Sequence, residues 1–292
     1  MRLVNHSGPL VSIITPYRDA AEFLPGLVAN LQCQTHRQWE CLLVDHGSRD
    51  DGPQRLAQLV AGDPRFRCLA VEPGPGQERP LPAIPRNRGL REARGVWICF
   101  LDVDDLWHPQ KLEQQLVCQR HHQLDVIVTA YGRFAADGRG PLILRRPPLR
   151  LERADLWRSN PIPMLSVMVR ASLLQAGVAQ PGLVFDPVRH EDYALWLRLW
   201  RQHPGLRYGC VPQVLAFHRR HHGNLTRWHP RLLLWIYRLH RRDGQSRWLA
   251  FWRSSCWFVR VALRVGQEQR SQQGLRSTPQ QLIACDPLWI SA

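Results

Sequence analysis

Asp102, Asp104 and Asp105 follow the apolar run Ile98–Leu101 directly, and Leu106 and Trp107 follow them in turn. Three carboxylates at the end of a segment that reads as a buried strand repel one another, and burial strengthens the repulsion. A cation relieves both problems. Asp102-Val103-Asp104 sets two hard oxygen donors on either side of one apolar residue, so at a bending strand end both can face one ion. Such donors suit Mg2+ or Mn2+, which keep several waters and accept diphosphate oxygens. A second acidic pair, Glu191-Asp192, opens a helical pattern carrying Tyr193, Leu195 and Trp196. A carboxylate in apolar surroundings has a raised pKa and can take a proton from a hydroxyl. Structural readings stand beside these. Asp105 can cap a helix beginning near Pro109, and Glu191-Asp192 can be an acidic first turn favoured by the helix dipole.

The acids need elements to hold them. Residues 10–15 (LVSIIT), 40–45 (ECLLVD), Arg67–Val71 and Val96–Leu101 are dominated by apolar side chains, and all read as strands, the first two and the last buried. Helical spacing predicts helices over 21–34, 53–60, 86–93 and 109–119 between and after them. That alternation predicts a parallel sheet with crossover helices, whose ligands bind outside the carboxyl ends of the strands. Thr15-Pro16-Tyr17, Asp45-His46-Gly47-Ser48 and the three acids should then line one edge. Further on, Val126–Thr129 and Tyr208–Phe217 read as strands, Pro161–Val169 as extended, and Tyr193–Trp200 as a helix. Residues 73–85 and 132–150 are rich in Pro and Gly and read as loops.

Hydrophobic residues make up 44% of the 292 positions, enough for one large α/β domain with an appendage. Basic residues number 39 against 24 acidic ones, a net charge of +15 that points to an anionic partner. Lys111 is the single lysine. The eight cysteines form no C-x-x-C pair and several lie in apolar runs, which favours reduced thiols in a cytoplasmic protein over zinc or disulfides. The amino-terminal stretch lacks the length and cleavage site of a signal peptide. No apolar run reaches the length of a transmembrane helix.

Three blocks together resemble the family-2 glycosyltransferases of the GT-A fold. The segment SIITPYRDAAEFLPGLVANLQCQTHRQWECLLVDHGSRDDG is similar to the family's opening strand–helix–strand unit. PRNRGLREARGVWICFLDVDDLWHPQKLEQQL is similar to its central unit, with the Arg-Asn-x-Gly helix start and the D-x-D. HEDYALWLRL is similar to its acidic helix start. The blocks occur in the family's order over residues 10–225. The resemblance implies an α/β, Rossmann-like, mostly parallel sheet flanked by helices, with a nucleotide-sugar half over 10–130 and an acceptor half over 131–225. Residues 226–292 are expected to form a basic, Trp- and Arg-rich helical extension with a loose tail.

The same resemblance implies roles on matching positions. Thr15 and Tyr17 would flank the nucleotide base and Asp45 would accept a hydrogen bond from it. Arg86 and Asn87 would sit near the ribose and diphosphate. Asp102 would touch the ribose or donor sugar, and Asp104, with Asp102, would hold Mn2+ or Mg2+. Asp192, beside Glu191, would be the general base of a single inverting displacement. Arg219 and His221 would close over the diphosphate. The partners implied are a nucleotide-diphosphate sugar donor and a glycan or lipid-linked acceptor, as in cell-envelope polysaccharide synthesis. His46 departs from the family's usual Asp-Asp-Gly-Ser, and keeps open a binding protein that has lost turnover. A sugar nucleotidyltransferase also uses paired acids on a parallel sheet, but its Gly-rich phosphate loop is missing here.

The extension invites two readings. Residues 231–242 and 247–265 predict two helices that mix Trp, Leu and Arg. They can lie in the inner face of the cytoplasmic membrane, with Arg against anionic headgroups, or pack on the catalytic domain with Arg stems over apolar surface. No recognised nucleic-acid module accompanies the basic charge, so a nucleic-acid partner is not expected.

Overall fold

The computed structural model describes residues 8–72, 81–136, 142–178, 184–220 and 231–270. The first half alternates as the apolar runs predict: β1 (Val11–Tyr17), α1 (Leu24–Gln32), β2 (Trp39–Asp45), α2 (Gly52–Leu59), β3 (Phe66–Ala70), α3 (Ala83–Glu92) and β4 (Trp97–Phe100). These strands pair in parallel in the order β3-β2-β1-β4. Side chains alternate between two cores. Ile14, Leu42, Ile98 and Phe100 enter one, while Val11, Ile13, Cys41, Leu43, Trp97 and Cys99 enter the other. Burial on both faces is why apolar residues dominate β1, β2 and β4 instead of alternating with polar ones. Leu24, Leu27, Val28 and Leu31 seat α1 on the second face. On the other face α3 lies close to β1, where a Cβ on Gly89 would meet Ile14 Cγ2 at 2.6 Å.

The second half is mixed rather than parallel. It comprises β5 (Leu106–Trp107), α4 (Lys111–His122), β6 (Val126–Ala135), β7 (Ile143–Arg145), α5 (Arg153–Leu156), a 3-10 turn at Met164–Ser166, β8 (Met168–Arg170), α6 (Ala171–Val178), α7 (Glu191–Gln202) and β9 (Tyr208–Arg220). The sheet continues β4-β8-β6-β9-β5, with β8 antiparallel to both neighbours, β9 parallel to β6, and β5 antiparallel to β9. Residues 132–150, expected to be a loop throughout, in part extend the sheet: β6 runs on to Ala135 and β7 pairs back onto it.

Two helices close the described chain, α8 (Leu232–Arg242) and α9 (Arg247–Arg270). Leu232, Ile236, Leu239 and Trp257 join the core beneath α7. The extension therefore packs on the α/β domain through one side. No helix among the described residues is long and apolar enough to cross a membrane.

Candidate active site

The parallel register brings the predicted edge together. Tyr17 lies beside Asp45 across β1 and β2, and Ile14 beside Phe100 across β1 and β4, so β4 delivers Asp102 to the same end of the sheet. Tyr17 is buried; burial first, and then the Asp45 charge, push its phenol up. Asp45 turns back on its own loop, accepting from Ser48 N at 3.0 Å and Ser48 Oγ at 2.5 Å. That turn needs Gly47, whose φ of 66° is the left-handed region a side chain disfavours.

His46 and Arg18 extend this corner, and the sequence did not single out Arg18. Both carry a buried nitrogen with no hydrogen-bond partner, His46 Nε2 and Arg18 Nη1. Burial and then the nearby Arg18 charge lower the His46 imidazole, so it is neutral at ordinary pH. Unsatisfied buried polar atoms are costly, and here they stand at the strand ends where a ligand would supply partners. Arg18 directly follows Tyr17 at the end of β1, a position that could have marked it.

Arg86 organises the centre. It projects from α3, is almost wholly buried, and places Nη2 2.8 Å from Asp102 Oδ1 and Nη1 2.5 Å from Glu191 Oε1. Burial works against its charge, and Asp102 and Glu191 more than restore it. Burial pushes Glu191 up to about 7, with Arg86 opposing and Asp192 adding to the rise. Asp192 is more open and accepts from Asn160 Nδ2 at 2.8 Å, while Asn160 Oδ1 is buried without a partner. Asn160 carried no sequence signal, since it comes from an irregular stretch after α5. The acids are aimed by His190, which caps α7 in the left-handed region at φ 58°. A histidine there is strained and needs packing to hold it; its ring lies 6.2 Å from Trp235 of α8.

Asp105 overturns both of its sequence readings. It caps no helix, because α4 begins at Lys111 behind Gln110. It also does not look toward a cation with its neighbours. Asp105 is buried, with Oδ1 3.0 Å from His218 Nδ1 and accepting from Arg219 N at 3.0 Å. Burial pushes its carboxyl up to about 6 against the pull of His218. For His218 burial alone would lower the imidazole, but Asp105 raises it overall. Arg219 Nε donates to Asp104 O at 2.9 Å. The 102–105 turn is thus tied to the end of β9, and one of the three crowded acids is neutralised from within the protein.

Two other expectations change. Thr15 is fully buried and its hydroxyl accepts from Cys41 Sγ at 3.8 Å, so its side chain faces the neighbouring strand rather than the edge. Asn87 spends both amide groups on one residue: Nδ2 donates to Phe185 O at 2.8 Å, and Phe185 N donates to Oδ1 at 2.9 Å. It fastens the chain leading into α7 onto α3 instead of facing a diphosphate. His221 lies outside the described residues.

That leaves Asp102 and Asp104 as the partly exposed acids of the turn. Among the described residues no group of three or more His, Cys, Asp and Glu side chains could hold a metal by itself. Two carboxylates at an open edge suit an ion whose other positions are filled by diphosphate oxygens and water, the usual habit of Mg2+. The residues present therefore fit such an ion with its ligand, and do not form a metal cage.

The model of Glycosyl transferase family 2 matches residues 12–172. The chain is 31% identical over 194 residues to the putative teichuronic acid biosynthesis glycosyltransferase TuaG of Bacillus subtilis (strain 168), covering 66% of this chain and 73% of that one. It is 29% identical over 191 residues to the UDP-Glc:alpha-D-GlcNAc-diphosphoundecaprenol beta-1,3-glucosyltransferase WfgD of Escherichia coli, covering 65% and 69%. Among solved structures, S. aureus TarS 1–349 superposes with a TM-score of 0.61 at 16% identity, over 85% of this chain and 70% of that one. The mannosyltransferase PcManGT from Pyrobaculum calidifontis, in complex with GDP-Man and Mn2+, gives 0.59 at 18% identity, over 87% and 75%. At that identity the structures establish the fold alone, which is the GT-A fold. With the family model covering more than half of its length and the site's strand-end acids inside that match, this chain belongs to glycosyl transferase family 2.

Proposed function

We propose that the protein transfers a sugar, with inversion, from a nucleoside diphosphate sugar to a hydroxyl of a cell-envelope glycan or lipid-linked acceptor. The observation that carries this reading is the single guanidinium of Arg86 joining the D-x-D turn to the Glu191-Asp192 helix start. In this reading the bridge keeps a donor-side and an acceptor-side acid in fixed relation, as a direct displacement requires. The relatives supply the substrate class. WfgD is named for a UDP-glucose donor and a diphosphoundecaprenol-linked acceptor, and TuaG for teichuronic acid biosynthesis.

In this reading Tyr17, Asp45, His46 and Arg18 receive the nucleoside at the ends of β1 and β2. Asp102, steadied by Arg86, faces the ribose or donor sugar. Asp104, with Asp102, would hold Mn2+ or Mg2+. Such an ion stabilises negative charge developing on the departing diphosphate. Arg219, anchored to the same turn, adds a fixed positive charge beside it. Asp192, oriented by Asn160, takes the proton from the acceptor hydroxyl. That oxygen attacks the anomeric carbon from the face opposite the diphosphate. The new carbon–oxygen bond forms as the bond to phosphate breaks, and the electron pair leaves with the diphosphate. Glu191, buried and paired with Arg86, positions rather than reacts.

The test is slow hydrolysis of a panel of nucleotide sugars with Mn2+ or Mg2+, beside Asp104→Asn and Asp192→Asn. Release of one nucleotide that depends on the ion and is lost in Asp104→Asn would support the reading and name the donor. Transfer to acceptor should fall by about two to four orders of magnitude in Asp192→Asn. A chain that neither hydrolyses nor binds any nucleotide in the presence of the ion would sink it.

A further inference from the structure

α9 is apolar on two opposite sides. Ala250, Ser254 and Trp257 are buried toward the domain. Facing away from them at helical spacing are Trp248, Trp252, Val259 and Leu263, flanked by Phe251, and these are exposed: 84% for Trp248, 68% for Trp252 and 63% for Leu263. The stripe from Trp248 to Leu263 is about 22 Å long at 1.5 Å per residue. An exposed apolar band of that size marks an interaction surface.

The surroundings of the stripe say what kind. Arg247 and Arg260 are exposed along it, and Asp243, the acid between α8 and α9, is buried against Arg153 and Arg201. α8, which packs on α9, borders a cavity of about 190 Å3 lined by Val188, Arg189, Trp235, Arg238, Leu239 and Arg242. That lining brings three guanidiniums, an apolar floor and no carboxylate, and the Arg189 guanidinium lies over the Trp235 ring at 4.7 Å. Guanidinium forks match phosphate oxygens, and Trp beside Arg suits a boundary that is apolar on one side and wet on the other.

We infer that the α8–α9 layer seats on an anionic lipid bilayer, with the Trp248–Leu263 stripe in the interface and the Arg189–Arg238–Arg242 cavity against headgroup phosphates. A second copy meeting the same face would set these arginines against one another, because neither the cavity lining nor residues 247–263 of α9 include a carboxylate. The placement has a consequence for the site. Val188 and Arg189 run directly into His190, Glu191 and Asp192, so a phosphate held in the cavity would lie beside the segment that opens α7.

The experiment uses the full chain and needs no turnover, so it stands or falls apart from the transferase reading. The chain is floated with vesicles of phosphatidylglycerol and phosphatidylcholine, or of phosphatidylcholine alone, while light scattering reports its mass and circular dichroism its fold. The wild type should float with the anionic vesicles and be released by salt at about 0.5 M, where charges are screened within a few ångströms. Trp248→Ser with Trp252→Ser, both exposed and so harmless to the fold, should weaken partitioning at least roughly tenfold. Arg189→Gln with Arg238→Gln and Arg242→Gln should remove the preference for phosphatidylglycerol. The inference is overturned if the folded wild type ignores anionic vesicles, if either variant binds them as the wild type does, or if the tryptophan variant dissociates a dimer.

Discussion

Asp102 and Glu191 share one guanidinium: Arg86 reaches Asp102 Oδ1 at 2.8 Å with one terminal nitrogen and Glu191 Oε1 at 2.5 Å with the other. Neither acid is near the other in sequence, and Arg86 comes from a third element, α3. The bridge fixes the D-x-D turn against the start of α7. It also leaves a charged group buried at the centre of the molecule, and several outcomes follow from its electrostatics.

Arg86→Ala should destabilise the fold strongly. Removing one partner of a buried ion pair costs about 3–5 kcal/mol, because the remaining charge is stranded. Glu191 can escape by taking up a proton, so the loss should be larger near pH 8 than near pH 6. Urea unfolding of the variant and wild type at both pH values measures the difference. An equal loss at both would mean that Glu191 is not the stranded group.

The Glu191 carboxyl is raised from 4.5 to about 7 in the folded chain. Between those values the folded state binds more protons than the unfolded one, so this group makes stability fall as pH rises through that window. Glu191→Gln removes the titration while keeping the shape. The stability difference, variant minus wild type, should therefore grow in favour of the variant from acid to neutral pH and level off above it. A flat difference would contradict the raised value.

Asp105→Ala should act on the D-x-D turn through β9. The substitution leaves His218 Nδ1 and Arg219 N, both partly buried, without their acceptor, a loss of about 1 kcal/mol for each hydrogen bond. Chemical denaturation should show that loss, and nucleotide diphosphate binding with Mn2+ should weaken as Arg219 and the Asp104 carbonyl separate. If Asp105 served a cation instead, Asp105→Asn would weaken ion binding and leave stability untouched.

Asn87→Ala is expected to behave as a structural variant. Its amide closes two hydrogen bonds with the Phe185 backbone, and their loss should cost about 1–3 kcal/mol in unfolding free energy. At temperatures where the variant is folded, donor binding by calorimetry should match the wild type. A selective loss of donor affinity with stability intact would restore a ligand contact to Asn87.

Asn160→Ala tests the orientation of Asp192. With the 2.8 Å hydrogen bond gone, kcat should fall at least roughly tenfold, a fraction of what a general base contributes, while KM for the donor holds. A change confined to KM would assign Asn160 to binding.

Much of this was legible in the residues themselves. β1, β2 and β4 announce their burial on both faces through sequences dominated by apolar side chains, and the parallel order then dictates that Tyr17, Asp45 and Asp102 meet at one edge. Local chemistry settles that much, because strand, helix and turn preferences act over a few residues and the alternation admits few topologies. The family resemblance likewise rests on short blocks whose order the chain carries openly.

Other features exist only once distant segments touch. Asp105 looks like one of three equivalent acids until β9 brings His218 and Arg219 to it. Asn87 looks like a ligand contact until Phe185 arrives from the lead-in to α7. Thr15 belongs to the edge by position, yet the alternation of its strand turns its hydroxyl to Cys41. Asn160 is mute in sequence because its partner, Asp192, is chosen by how α5 and α7 pack. The extension shows the division most plainly: its Trp and Arg content was visible at once, but which tryptophans are covered depends on the face that α9 turns to the core. A side chain's type sets what it can bond to, and only the tertiary structure determines which groups come within bonding distance.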